Sequence, residues 1–145
     1  MDLHLNDKVI IVTGGAKGIG EGIVKVLAGE GAIPVIVGRN EEDNRRLMNE
    51  IHTDGKQTFQ VVAELTHPDE CKRAVDAVIK EFNRIDGVVN NAGVNDSVGL
   101  ERGSYEKFME SVHKNLVHYY LMTQSALGLP DCAAGICGCG WGASS

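Results

Sequence analysis

A chain of 145 residues with 43% apolar side chains can bury one core of ordinary size, so a single domain is the default expectation. The formal net charge of −6, without any run of lysine or arginine, supplies no basic surface, which excludes nucleic acid and anionic membrane as expected partners. No window reaches the roughly 18 apolar residues of a membrane helix, and the charged start MDLHLNDK is unlike a signal peptide, so the expectation is a soluble, cytoplasmic protein.

The first element is KVIIVT at 8–13, a β-branched run ending at Gly14 and Gly15, which reads as a buried strand. Ile19, Ile23, Val26 and Leu27 then share a helical face, closed by Gly31. PVIVG at 34–38 is a second strand, and Leu47, Met48 and Ile51 mark a helix from Glu41 to about His52. TFQVVA at 58–63 is a third strand. Pro68 favours a helix start, and Cys71, Val75, Val78, Ile79 and Phe82 line a face that ends near Arg84. Residues 85–89 form a fourth strand leading into NNAG. Ser104 is the expected N-cap of a long helix with Phe108, Val112, Leu116, Tyr119 and Thr123 at helical spacing.

Strands alternating with helices imply parallel pairing, since each crossover returns the chain in the same direction. The expected fold is α/β: a Rossmann-type doubly wound parallel sheet in the order 3-2-1-4, incomplete on its C-terminal side. Residues 1–127 form this partial dinucleotide-binding domain, and 128–145 a separate tail.

TGGAKGIG at 13–20 sets Gly14, Gly18 and Gly20 between a strand and a helix. Glycine permits positive φ and close approach of a ligand, and the helix N-terminus offers unpaired N–H groups and a positive dipole end to a pyrophosphate. The alternative is a tight connection that binds nothing. The end of the second strand decides between the two nicotinamide cofactors, an acidic residue suiting ribose hydroxyls and an arginine a 2′-phosphate. Here Gly38 is followed by Arg39, and Lys17 adds a second cation, so NAD(P) binding leans toward NADP. Glu41 and Glu42 stand where an acidic ribose ligand is also expected, unless they serve as favourable charge in a first helical turn. Arg39 and Lys17 have the corresponding reading as solvated charges. A GTP- or ATP-binding loop is disfavoured, because residues 13–20 lack the GxxxxGK[ST] pattern.

Taken with NNAG at 90–93, the glycine turn resembles the short-chain dehydrogenase/reductase family over about residues 5–126, the N-terminal half of a usual member. The resemblance implies that Gly14, Gly18, Ile19 and Gly20 hold the cofactor pyrophosphate. It also implies that Asn90, Asn91, Ala92 and Gly93 support the central strand and lie against the adenine ribose. An Asp after the third strand usually contacts adenine, and Glu64, followed by Leu65, takes that place here. Asn115, in HKNLVHYY, matches the family's catalytic Asn that orders a water chain for proton relay. Several strings, including EGAIPV, NNAGVND and NLVHYY, are similar to sugar dehydrogenases of the family. The implied chemistry is hydride transfer between the nicotinamide and a hydroxyl or carbonyl of a small substrate, in a homo-oligomer.

The family's proton transfer uses a Tyr and Lys four apart and a Ser from a later strand. A tyrosine near pKa 10 is a poor base at neutral pH without a nearby cation. No Tyr or Lys follows Tyr120, and Ser144 and Ser145 follow GCGWGA rather than a strand. The tail GLPDCAAGICGCGWGASS has neither helical nor strand periodicity and holds three of the four cysteines. It reads as the unstructured end of a truncated or frameshifted product, inactive alone, with the fourth strand left as a sheet edge prone to association. Metal binding by Cys132, Cys137 and Cys139 would need a fourth ligand, and no histidine lies in the tail, so no metal site is expected. His4, His52, His67, His113 and His118 are expected to be solvated or to cap helices.

Overall fold

Alternate residues of a strand face opposite sides of a sheet, so a strand that is apolar throughout must be covered on both. The computed structural model describes residues 3–127 and 135–138 and shows this arrangement. Strand β1, Val9–Thr13, is buried along its length. It is followed by α1 (Gly18–Gly29), β2 (Ile33–Gly38), α2 (Glu41–Thr53), β3 (Phe59–Val62), α3 (Pro68–Phe82) and β4 (Gly87–Asn90). Then come α4 (Tyr105–Val112), a π-helical turn over His113–Val117, α5 (His118–Leu127) and β5 (Gly135–Gly138). All pairings are parallel, in the order β3-β2-β1-β4-β5.

Val9 and Ile11 face one side with Val35, Val37 and Val61, under α3 and α5. Ile10 and Val12 face the other with Ile36 and Val89, under α1 and α2. Each such side chain fully removed from water stabilises the fold by about 1.5–3 kcal/mol before entropy is counted. At the lower end of the sheet, Asp86 accepts a hydrogen bond from the Val9 N–H at 2.9 Å and pairs with Arg84 and Lys8. Burial acts to raise this carboxyl's pKa, but Arg84, the Val9 N–H and Lys8 together hold it below the usual range. Helix ends follow local chemistry. Asn40 Oδ1 accepts from the Asp43 N–H, Ser104 Oγ from the Lys107 N–H, Pro68 opens α3, and Asn83 closes it at φ 56°.

Three expectations are corrected. On α1, Ile19 and Val26 are exposed, and the buried face is Gly20, Val24 and Ala28, flanked by Ile23 and Leu27. Small residues let the helix approach the sheet, a packing role that a count of large apolar residues does not register. The long helix after Ser104 is interrupted by the π turn, whose extra residue rotates everything beyond it by about 100°. Phe108, before the turn, and Leu116, within it, stand exposed, while beyond it His118, Met122 and Ala126 face the sheet. Histidine 118 is thus a core residue and not a solvated or capping one.

The third correction concerns the tail. Four of its residues form β5, which pairs with β4 from Gly87↔Gly135 to Asn90↔Gly138, so β4 is not the sheet edge. An open strand edge recruits backbone N–H and C=O groups and requires no side-chain alternation. The remaining tail residues, including Cys132, Cys139, Ser144 and Ser145, lie outside the described residues, as does the Cys137 side chain. Among the described residues no cluster could hold a metal ion, and no helix is long and apolar enough to cross a membrane.

Candidate cofactor site

The strand order reverses direction between β1 and β4, and in open α/β sheets ligands bind in the crevice beyond the strand ends at such a point. At this end Thr13, fully buried, organises the backbone. Its Oγ donates to the Val89 carbonyl and accepts from the N–H groups of Asn91 and Ala92 at 2.9 and 3.0 Å. The Asn91 amide in turn donates to the carbonyls of Thr13 and Gly14. Threonine 13 was not expected as a site residue. A hydroxyl ending a β-branched strand just before two glycines is the signal that could have found it.

The three motif glycines have different causes. A Cβ on Gly14 would meet the Ala92 Cα at 2.9 Å, and one on Gly20 would meet the Gly14 carbonyl at 2.1 Å. Both are required by the protein's own packing. Gly18 adopts φ +56°, and a Cβ there would meet nothing within 4 Å, so the chain passes open space at the start of α1. That start has no side-chain cap, Lys17 in the cap position making no such bond, whereas α2 and α4 are capped by Asn40 and Ser104. Unpaired N–H groups at Gly18, Ile19 and Gly20 and the positive dipole end suit a phosphate. The exposed Ile19 belongs to this turn.

Beside it lies a cavity of about 180 Å³. Its floor is Gly14 and Gly38, one wall is Glu64, Leu65 and Thr66 after β3, and the other is Ala92, Gly93 and Val94 after β4. Arg39, Lys114 and His118 complete it. Leu65, Ala92 and Val94 give it apolar surface, and Arg39, Glu64, Thr66, Lys114 and His118 supply polar groups around it, a mixture that suits a flat heterocycle. Glu64 Oε1 accepts from the N–H and hydroxyl of Thr66, and its other oxygen lies 3.8 Å from Arg39 Nη1.

Arg39 stands exposed at the rim and also borders the depression formed with Asn40, Glu41, Glu42 and Arg45. Lys17 bonds Asp43 at 2.7 Å, in the first turn of α2, so it is anchored close along the chain to Arg39 and Asn40. Glu41, Glu42 and Asp43 all occupy that first turn, and Glu41 pairs with Arg45. Arg46 donates to the Ala16 carbonyl of the glycine turn at 2.9 Å and to Glu21 at 2.8 Å. The Arg46 and then the Lys25 contacts hold the Glu21 carboxyl below its ordinary pKa.

Asn115 lies within the π turn. Its Oδ1 accepts from the Val94 N–H at 2.7 Å, and its Nδ2 donates to the Ser111 carbonyl at 3.0 Å. A Cβ on Gly93 would sit 3.0 Å from that same Oδ1, so the glycine gives Asn115 its place. His113 bonds the Thr66 carbonyl, joining the turn to the loop after β3. The site residues expected from the sequence thus divide into the glycine turn with Asn91, the cavity lined by Arg39, Glu64, Leu65, Ala92 and Gly93, and Asn115 behind the β4 loop.

A parallel sheet with helices on both faces, a glycine turn at its central strand and a cavity at the switch point define a dinucleotide-binding α/β domain. The family model described as short chain dehydrogenase matches residues 8–133, and the chain belongs to that family. It is 33% identical over 127 residues to a 3-oxoacyl-[acyl-carrier-protein] reductase FabG of Chlamydia pneumoniae, covering 88% of this chain and 51% of the relative. An L-fucose dehydrogenase of Bos taurus, of the sugar dehydrogenase kind expected above, is 34% identical over 121 residues, covering 83% of this chain and 43% of the relative. A metagenomic short-chain oxidoreductase solved in complex with NADP superposes with a TM-score of 0.78 at 28% identity, over 86% of this chain and 57% of that one. The chain spans about half the length of the relatives it matches.

Proposed function

We propose that this chain is the cofactor-binding half of an NAD(P)-dependent short-chain dehydrogenase, with NADP(H) preferred. The observation that carries the reading is the uncapped N-terminus of α1 opening beside the cavity at the β1–β4 switch point. There Gly18, Ile19 and Gly20 hold the pyrophosphate through backbone N–H groups, and Leu65, Ala92 and Gly93 enclose the adenosine. Arg39 meets a 2′-phosphate, with Lys17 as a second cation. The bound nicotinamide supplies the carbon that gives or takes a hydride. Asn115 acts as a positioning residue that holds the Gly93–Val94 loop and, by the family likeness, orders water for proton relay.

The substrate is a hydroxyl or carbonyl of a small molecule, with a sugar favoured by the likeness to L-fucose dehydrogenase. The reading extends to a cytoplasmic homo-oligomer. The 145-residue chain carries no Tyr or Lys after Tyr120 to serve as the family's acid/base pair, so by itself it binds dinucleotide without turning substrate over. The second reading, a non-catalytic product that retains only dinucleotide binding, rests on that same observation. Titration with NADPH and NADH, together with assays on candidate alcohols, tests both parts. NADPH is expected to bind at least about tenfold tighter, given charge-assisted bonds to its phosphate. Tighter NADH binding overturns the preference, and turnover above background overturns the inactivity.

A further inference from the structure

We propose that His118 is a base-recognition residue of this site, one ring nitrogen forming a hydrogen bond with the edge of the bound adenine. The inference rests on the dinucleotide reading above. His118 opens α5 directly after the π turn and is 2% exposed. Neither of its ring nitrogens makes a well-formed hydrogen bond. The Lys114 and Ala92 carbonyls lie near the ring and act against the lowering of its pKa by burial. Buried polar atoms are nearly always paired, so two orphaned nitrogens on one core side chain call for a partner. The ring lines the cavity among Ala92, Gly93, Glu64 and Lys114.

Burial favours the neutral imidazole, which offers one donor and one acceptor. A neutral ring is a poor partner for a phosphate, and the anionic end of the ligand already has the start of α1 and Arg39. A purine edge, with ring-nitrogen acceptors beside an amine donor, is its chemical complement. The π turn is what makes this possible, since without its extra residue position 118 would point elsewhere on the helix.

The test compares the wild-type chain with His118→Leu and His118→Gln, titrated with 2′,5′-ADP and with inorganic pyrophosphate. His118→Leu is expected to weaken 2′,5′-ADP binding roughly three- to tenfold, the worth of one net hydrogen bond. It should leave pyrophosphate binding unchanged, and His118→Gln, which keeps a donor and an acceptor, should recover part of the loss. Equal 2′,5′-ADP affinity in the wild type and His118→Leu overturns the inference while the dinucleotide reading stands. A wild-type chain that binds neither probe overturns both. Should the variants not fold, imidazole ¹⁵N resonances of the wild type decide the matter. A His118 shift with 2′,5′-ADP but not with pyrophosphate supports base contact, and no shift with either nucleotide or pyrophosphate, or the same shift with both, overturns it.

Discussion

Between Val9 and Val94, β1 is buried throughout and α1 and α2 each lay a buried face on the sheet. Between Tyr105 and Val112 no residue of α4 is buried, and Tyr105, Phe108 and Met109 stand exposed. The first region builds its own core and its own ligand end. The second contributes no residue to the cavity; Lys114 and His118, which do line it, come after α4, within and just beyond the π turn. Its local sequence supports a helix, but tertiary packing supplies little of what holds a helix in water. The difference teaches that the cavity at the switch point is walled without α4.

The largest effect should come from the first region's core. Leu47→Ala removes a fully buried side chain and is expected to cost about 2–5 kcal/mol in denaturant unfolding. Phe108→Ala, in the exposed helix, should change stability by no more than about 0.5 kcal/mol. Equal costs at the two positions would erase the contrast. Gly20→Ala comes next, because its Cβ falls on the Gly14 carbonyl at 2.1 Å. It should cost about 1–3 kcal/mol and abolish nucleotide binding, whereas Gly18→Ala should leave the fold closer to intact and mainly harm binding. Indistinguishable nucleotide affinity for wild type and Gly20→Ala would show that the turn is a connection and no more.

Smaller effects sharpen the comparison. Arg39→Ala is expected to reduce NADPH affinity about tenfold, in line with the loss of a charge-assisted bond at an exposed site, while changing NADH affinity little. An equal loss for both cofactors would remove Arg39 from the 2′-phosphate. Acidification should then weaken the fold through His118. Burial holds its pKa below the ordinary value of about 6.5, so the unfolded chain takes up a proton first. This contribution is complete above about pH 6.5 and is lost as pH falls toward the depressed folded-state pKa. His118→Leu should flatten that part of the stability curve, and an unchanged slope would contradict the assignment.

Much of the first region was legible in the sequence, since buried parallel strands are continuous apolar runs and glycine punctuates their ends. Residues Leu47, Ile51, Cys71, Val75 and Val78 are buried as their spacing predicts. What stayed hidden depends on geometry that periodicity does not carry. The packing of Gly20 and Ala28 is invisible to a count of large apolar residues. The π turn changes the face of every residue beyond Val117 and so carries His118 to the sheet. Strand β5 is recruited by an edge elsewhere in the chain, Thr13 reaches the loop after β4, and Arg46 reaches the glycine turn, all across long sequence separations. The glycine motif and NNAG were readable because each meets its partners close to its own strand end.

The central claim is that the first region binds a dinucleotide at the β1–β4 switch point without help from the exposed helix. Amide chemical-shift mapping of the chain during NADP titration tests this most directly. Saturable shifts at Gly14, Gly18–Gly20, Arg39, Leu65 and Ala92–Gly93, with Tyr105–Met109 unmoved, are the predicted result. Shifts confined to Tyr105–Met109, or none at the glycine turn at saturating NADP, would contradict it.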